Sequence, residues 1–288
     1  MWNSIGERAF YKCKNLKKLC LCHAQSIEKE ALEGCSILEI CEVSSELWAG
    51  ERAFEKTKFL EVRKDGICIV GSLVVSASQC EGRVCIPESV TGIAPYAFAG
   101  NRSITEIVFP EGLLRIGEGA FFGCSMLCQV NFPKSLREIE ARAFEKCVCL
   151  KSIYTDALQI GRGAFAFCTA LLHAEFPKIK KLSDSIFEGC ISLKGCACKS
   201  AEEAGRKSFC NCRSLRDMDF ERLQIIKEYA FEGCDSLYRV FFQNSIHVEN
   251  YAFLECGHLT EIWISDGTDS AFFGEYAFFG CTMLRWVK

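Results

Sequence analysis

Cysteine is the residue type with the greatest capacity for chemistry in this chain. The 288 residues include 21 cysteines and 4 histidines. Cysteines at regular spacings can form disulfides or bind zinc, and a Cys–His pair can act as a nucleophile. The spacing Cys-x-Cys occurs at the pairs Cys20/Cys22, Cys147/Cys149, Cys196/Cys198 and Cys210/Cys212. The commonest zinc spacing, Cys-x-x-Cys, does not occur in the sequence, and an odd number of thiols cannot all pair within one chain.

The other residues that could support catalysis form no recognisable motif. The sequence has no Gly-rich phosphate loop, no nucleophile elbow and no His-Glu-x-x-His string. In a strand, Cys20 and Cys22 would share one face, but a metal would need two more ligands from adjacent turns. The neighbouring His23 alone is weak evidence for such a site. We therefore predict no enzyme activity, no cofactor and no metal site.

The elements that position these residues follow from a repeated dipeptide. Ala-Phe, or a degenerate copy of it, returns at steps of 21 to 25 residues, with one step of 44. A fixed period in this range is the signature of a repeat solenoid. The Phe of each pair is expected to stack on the next in an internal column. The pairs are Ala9-Phe10, Ala31-Leu32, Ala53-Phe54, Ala97-Phe98, Ala120-Phe121, Ala143-Phe144, Ala164-Phe165, Ile186-Phe187, Ser208-Phe209, Ala230-Phe231, Ala252-Phe253 and Ala277-Phe278.

Each repeat has the same internal frame, which residues 116–130 illustrate: Ile-x-x-x-Ala-Phe-x-x-Cys-x-x-Leu-x-x-Val. The Leu-x-x-Ile-x-Phe stretch of a typical copy is rich in β-branched and aromatic residues, which predicts a strand with one buried face. Before that strand, each repeat has apolar residues at i, i+4 and i+5, and this spacing predicts one or two helical turns. A single such unit cannot bury its own apolar face, so neighbouring copies must stack.

The string of residues 84–127, VCIPESVTGIAPYAFAGNRSITEIVFPEGLLRIGEGAFFGCSML, resembles the BspA-like subclass of leucine-rich repeats. The resemblance extends over essentially the whole chain. It implies an α/β repeat solenoid in the shape of an arc. A parallel β-sheet would line its concave face, and short helical or 3-10 segments its convex face. We expect about thirteen turns of 22–23 residues in a single domain, 1–288, with an irregular repeat near 64–86. The resemblance also implies a role in surface attachment or in binding to host or partner proteins.

The frame also accounts for nearly half of the cysteines. These cysteines stand three residues after the Phe of the Ala-Phe pair. A small, weakly polar side chain that hydrogen-bonds to the nearby backbone suits that position, and unpaired cysteine is readily buried. Asn101 and Thr57 replace cysteine in two copies. We interpret the column as structural thiols in the core. Its members are Cys13, Cys35, Cys124, Cys147, Cys168, Cys190, Cys212, Cys234, Cys256 and Cys281.

The one break in the rhythm, near residues 64–86, contains two apolar runs on either side of Gly71 and Ser72. Those two residues are typical of a hairpin turn. The segment is one whole period long, so the repeats that follow it keep the same spacing. We favour an irregular repeat over a protruding binding hairpin.

Charge and hydropathy exclude several function classes. The net charge of −3 gives no electrostatic footprint for nucleic acid, and the longest apolar stretch is too short to span a bilayer. Residues 1–25 have no signal-peptide pattern. Both ends fall within the repeat pattern without polar caps, so we expect continuation into a longer protein or self-association.

Outward residues of the strands remain as the candidate site. Side chains alternate along a strand, so the residues flanking the buried Ile or Val face outward, and exposed aromatics and Arg anchor protein interfaces. The predicted function is a non-catalytic protein-binding scaffold of the cell-surface antigen or adhesion type. The alternative, favoured by the many thiols, is an intracellular interaction module with reduced structural cysteines. The candidate partner-binding residues of the concave face are Tyr154, His173, Glu175, Asp217, Asp219, Arg239, Phe241, Glu261 and Trp263.

Overall fold

A computed structural model describes residues 3–44, 46–60, 66–77, 79–219, 222–243, 246–265 and 271–287. Typical repeats contribute two strands separated by the Ala-Phe turn. The strands before the turn, here called the pre-turn strands, are mostly two residues long. They are β1 (Ser4–Ile5), β3 (Ser26–Ile27), β5 (Trp48–Ala49), β6 (Cys68–Val70), β7 (Leu73–Ser76), β9 (Gly92–Ile93), β11 (Arg115–Ile116), β13 (Glu138–Ile139), β15 (Gln159–Ile160), β17 (Lys181–Leu182), β19 (Glu203–Ala204), β21 (Ile225–Ile226), β23 (Ile246–Val248) and β25 (Ala271–Phe273).

The post-turn strands follow the turn and are mostly longer. They are β2 (Lys18–Leu21), β4 (Glu39–Val43), β8 (Gly82–Cys85), β10 (Ile104–Val108), β12 (Gln129–Asn131), β14 (Ser152–Tyr154), β16 (His173–Glu175), β18 (Gly195–Ala197), β20 (Asp217–Asp219), β22 (Arg239–Phe242), β24 (Glu261–Ile264) and β26 (Trp286–Val287).

Strands pair with the equivalent strand of the next repeat, and all but one of the described pairings are parallel. The post-turn strands form sheets in the orders β2-β4, β12-β10-β8, β14-β16-β18-β20 and β22-β24-β26. The pre-turn strands form the orders β1-β3-β5, β15-β13-β11-β9-β7-β6 and β17-β19-β21-β23-β25. The predicted parallel-strand solenoid is therefore confirmed, with two lines of strands where the sequence predicted one.

The predicted helical segments of the convex face are not confirmed. Among the described residues, the only helix is a single 3-10 turn at Lys58–Leu60. Each Ala-Phe segment is a turn with a positive backbone φ two residues before and two residues after the Phe, as at Arg142 (58°) and Lys146 (62°) around Phe144. An α-helix needs φ near −63° at every residue. The apolar spacing thus matched a helix, while the backbone takes two left-handed bends in five residues.

The count of thirteen turns is not confirmed either, and the structure supports about eleven. The repeat that contains Phe54 is the clearest departure. There a 3-10 turn at Lys58–Leu60 follows the Ala-Phe turn, residues 61–65 lie outside the described part of the chain, and the next described strand is β6. Among the described strands, β5 is followed by the two pre-turn strands β6 and β7, which interrupts the alternation of the two strand types.

The phenylalanine column exists as predicted. From Phe98 to Phe253, successive rings of the Ala-Phe position stack with centroids 4.6 to 6.1 Å apart, and all seven of these inner contacts join fully buried rings. Backbone hydrogen bonds run beside the column, as when the Phe121 N–H donates to the Ala143 carbonyl at 2.7 Å. The turns are therefore tied to each other both by ring stacking and by hydrogen bonds.

The break near residues 64–86 contains the hairpin that the sequence predicts. Strands β6 and β7 are antiparallel, with Val70 opposite Leu73 and two residues between them. Gly71 has a φ of 59°, as the first position of a type II′ turn requires. Val70 and Leu73 are buried, and β7 also pairs with β9. The hairpin is therefore part of the pre-turn sheet and does not protrude.

Two hydrophobic clusters meet at this hairpin. Val70 and Leu73 pack with the apolar residues of the first repeats, down to Ile5, whereas Val74 belongs to the long cluster that continues to Ala277. The single-domain organisation remains a prediction.

Candidate functional site

The outward residues of the post-turn strands form two columns, here called the post-turn face. The register places Ser152, His173, Gly195 and Asp217 side by side, and equally Tyr154, Glu175, Ala197 and Asp219. Strands β14 and β16 show the exposed–buried–exposed pattern expected of a half-buried sheet. The strand alternation thus brings Tyr154, His173 and Glu175 onto one surface.

A groove of about 560 Å³ crosses this face where the columns carry small side chains. Gly195 and Ala197 form its floor, because neither side chain fills the space beside Glu175. Tyr154, which is 54% exposed, lines one side of the groove, and Lys194 lines another part. Neither Gly195 nor Ala197 is among the residues that the sequence predicts to bind a partner. Their small size beside an exposed Tyr was the available signal.

Further along the face lies a second group of predicted residues on β22 and β24. Arg239 pairs in register with Glu261, and Phe241 pairs with Trp263. Phe241 is 56% exposed. Trp263, the outward residue beside it, is half-buried. Its Nε1 donates a hydrogen bond to the Glu261 carboxylate at 2.9 Å, which fixes the ring across the surface.

The guanidinium of Arg239 is oriented by a neighbouring aromatic ring. It lies 5.6 Å from the centroid of the Tyr238 ring, a distance at which a cation is attracted by the ring face. Tyr238 is itself 51% exposed. This part of the face therefore offers a cation and exposed aromatic surface together.

Asp217 and Asp219 complete the predicted set. The backbone of β20 places them beside Gly195 and Ala197. Their side chains lie outside the described residues, so their part in the groove remains a prediction.

A larger groove, of about 720 Å³, lies beside the pre-turn strands. The charged side chains that line it form ion pairs with neighbouring side chains outside it: Glu138 pairs with Arg115 at 3.2 Å, and Glu140 also pairs with Arg115. Lys181 pairs with Glu203 at 3.0 Å. Burial raises the pKa of Glu140, against the lowering effect of Arg115. Because these charges are already compensated within the chain, we regard the post-turn face as the better candidate site.

His247 and His258, which lie away from the post-turn face, have local partners. The ring of His247 stacks on Phe272 with centroids 4.5 Å apart. His258 Nδ1 lies 2.7 Å from the carbonyl oxygen of Asp235. These contacts support no catalytic role for either residue.

The cysteine column is buried and hydrogen-bonded in a regular way. Every thiol of the column after Cys13 donates to the carbonyl of a Phe in the preceding turn, as Cys147 does to Phe121 at 3.2 Å and Cys190 to Phe165 at 3.1 Å. Burial raises the pKa of Cys190 to about 12. The predicted role as core thiols is borne out for most of the column. Cys13, at its first position, is exposed.

Two Cys-x-Cys pairs have close thiols. Cys196 and Cys198 are buried, with their Sγ atoms 3.0 Å apart. Cys20 and Cys22 are 3.1 Å apart and accessible at the surface. The pKa of Cys22 is raised, first by its hydrogen bond with Cys20 and then by burial. The four thiols of these two pairs are free of disulfide bonding.

A family model for the BspA type leucine rich repeat region matches the chain in six copies, over residues 2–65, 79–194 and 158–285. The chain belongs to the BspA-type leucine-rich repeat family. This membership agrees with the stacked parallel strands and the Ala-Phe turns. A search of curated proteins finds no match.

Solved structures of leucine-rich repeat proteins resemble the BspA-type chain. One from Bacteroides ovatus has 21% identity and a TM-score of 0.53 over 99% of this chain and 87% of that one. This similarity supports the fold. A leucine-rich cell surface protein from Faecalibacterium prausnitzii has 22% identity and a TM-score of 0.45, covering 99% and 82%. The pneumococcal vaccine antigen PcpA has 17% identity and a TM-score of 0.46, covering 79% and 63%.

In the part of the chain that the structure describes, no helix has the length and apolar character needed to cross a bilayer.

Proposed function

We propose that this chain is a non-catalytic protein-binding scaffold whose partner docks on the post-turn face. The observation that carries the proposal is the exposed aromatic surface of that face. Tyr154 and Phe241 are each more than half exposed, on strands whose alternate residues are buried. Aromatic and Arg side chains are the usual energetic anchors of protein interfaces, and the groove floored by Gly195 and Ala197 supplies a depression for a partner side chain.

The family membership supports a cell-surface antigen or adhesion role for the scaffold. A long surface with two outward columns suits an extended protein partner better than a small molecule, because the groove is shallow and open. No feature of the face favours nucleic acid, since acidic Glu175 and Glu261 are interspersed with Arg239.

Capture of a partner by the purified chain tests the proposal. Wild-type protein and the variants Tyr154→Ala and Phe241→Ala are compared for binding, with Leu158→Ala and Phe272→Ala as controls. The control residues are equally exposed, at 59% and 54%, but belong to the pre-turn side. We expect the first two variants to lose affinity and the controls to keep it. Loss in the controls alone would refute the assignment of the face.

The free thiols favour a second candidate, an intracellular interaction module. Exposed thiols such as Cys13, Cys20 and Cys85 survive best where reductants keep cysteines reduced. Labelling intact cells with a membrane-impermeant reagent separates the two candidates. Labelled protein supports the surface role, and labelling only after lysis supports the intracellular one.

A further inference from the structure

The accessible Cys-x-Cys pair lies beside a carboxylate of the next turn. Cys20 Sγ is 3.1 Å from Cys22 Sγ and 3.7 Å from an Oε atom of Glu42. All three ligand atoms lie within 4.8 Å of one another. The sequence analysis gave this pair no metal role for lack of further ligands from adjacent turns. The structure supplies one of them.

A bulge in the pairing of β2 and β4 brings the carboxylate into place. Leu19 is in register with Ile40, and Leu21 with Val43, so β4 has one residue more between these points. An extra residue of this kind re-aims the side chains around it. Without the bulge, the register of Leu19 with Ile40 would continue, so Glu42 would align with Leu21 and face the opposite side of the sheet from Cys20. The bulge places Glu42 on the outer side, where Cys20 lies.

We propose that Cys20, Cys22 and Glu42 form a surface site for a thiophilic divalent cation of the zinc type. Zinc takes thiolate ligands at about 2.3 Å and carboxylate oxygen at about 2.0–2.2 Å in tetrahedral geometry. Two sulfurs on one such ion are therefore roughly 3.8 Å apart, and a sulfur and an oxygen roughly 3.5 Å. The Cys20–Glu42 separation of 3.7 Å is already close to that value. The Cys20–Cys22 separation reaches it through a small rotation of either exposed side chain.

Binding conserves charge and protons in a simple way. Each thiol releases its proton to solvent and donates a sulfur lone pair, the carboxylate donates an oxygen lone pair, and the cation changes no oxidation state. Three protein ligands leave the fourth tetrahedral position open. A site of this kind can accept a ligand from solvent or from a bound partner.

The buried pair Cys196 and Cys198 provides an internal contrast. It has the same spacing and a sulfur separation of 3.0 Å, but both residues are fully buried. A hydrated cation cannot reach it in the folded chain. We therefore expect the folded protein to bind one cation, at Cys20 and Cys22.

Cobalt titration of the full chain under a phosphine reductant tests the proposal. We expect one equivalent of Co²⁺ to bind with a thiolate-to-cobalt charge-transfer band and the visible bands of a tetrahedral site, both removed by excess Zn²⁺. The double variant Cys20→Ser/Cys22→Ser should lose the thiolate band. Glu42→Gln should keep that band but bind at least about tenfold more weakly, a loss that even outer partners of metal sites produce. Cys85→Ser, which removes a separate exposed thiol, should bind as wild type does.

Two results would overturn the assignment. One is an unchanged cobalt spectrum in the double variant, which would place the metal elsewhere. The other is the absence of cobalt binding by the reduced protein, together with a Cys20–Cys22 disulfide in air detected by peptide mass. That second result would make the pair a redox couple. Because the three ligands lie at the surface, these substitutions leave the core intact, and far-ultraviolet circular dichroism verifies folding of each variant.

Discussion

Replacement of Gly123 by Ala distinguishes the observed turn from a helix, because the free energy of unfolding should fall for the turn and rise for a helix. Gly123 has a φ of +69°, and an added Cβ would meet no atom within 4 Å. The cost is therefore conformational, at about 1–2 kcal/mol for a non-glycine residue in the left-handed region. The smaller entropy of the unfolded Ala chain offsets about 0.4–1 kcal/mol. We expect a net loss of about 1 kcal/mol in the free energy of unfolding.

The reverse substitution at an equivalent position should have the opposite effect. Glu255 is an exposed residue with a φ of 59° in the same place relative to its Phe. Glu255→Gly should stabilise the protein by up to about 1 kcal/mol. Urea unfolding followed by circular dichroism measures both changes at a common denaturant slope.

A helix would reverse both signs. In a helix interior Ala is more stable than Gly by about 0.5–1 kcal/mol, so Gly123→Ala would stabilise and Glu255→Gly would destabilise. That pair of results would refute the left-handed turns, and with them the explanation of why the predicted helices are absent.

Further predictions concern the core and the cysteine column. Burial raises the pKa of Cys124 to about 12 from its ordinary value of 9.0, so the folded state holds a proton that the unfolded state loses. Stability should be complete below about pH 9 and fall as pH rises toward 12, by up to about 1.4 kcal/mol per pH unit for each such thiol. Chemical unfolding at several pH values measures the slope, which Cys124→Ala should reduce; an unchanged slope would contradict the assignment. Phe144→Ala, at a fully buried ring, should cost about 3–5 kcal/mol, whereas Phe241→Ala on the surface should cost less than about 0.5 kcal/mol. Guanidinium unfolding midpoints compare the two, and similar losses would contradict the burial of the column.

The repeat period was sufficient to predict the buried framework. A step near 22 residues places like side chains above like, so Phe144 and Cys147 could be assigned to the core without coordinates. The strand alternation likewise placed Tyr154 and Phe241 outside. These features depend on spacing alone, which a sequence displays directly.

The turns were mispredicted because apolar spacing does not specify φ. The positions at i, i+4 and i+5 fit a helix and fit the observed turn equally well. A signal was available two residues after the Phe, where half of the copies carry glycine, the residue that adopts positive φ without strain. Those glycines are Gly34, Gly100, Gly123, Gly189, Gly233 and Gly280.

Features that depend on a local irregularity could not be predicted from the repeat. The bulge that turns Glu42 toward Cys20 interrupts the alternation on which the outward residues were assigned. The groove at Gly195 and Ala197 exists because the side chains of these two residues are too small to fill the space. Both features belong to single copies that differ from the common repeat pattern. A pattern shared by all copies cannot predict them.

Site-specific photocrosslinking tests the assignment of the post-turn face most directly. A photoreactive phenylalanine analogue replaces Tyr154 or Phe241 on that face, or Leu158 or Phe272 on the pre-turn side, and cell extract is irradiated with each protein. The account predicts adducts of one common mass from positions 154 and 241 and none from positions 158 and 272. Adducts from the pre-turn positions without any from the post-turn positions would contradict it.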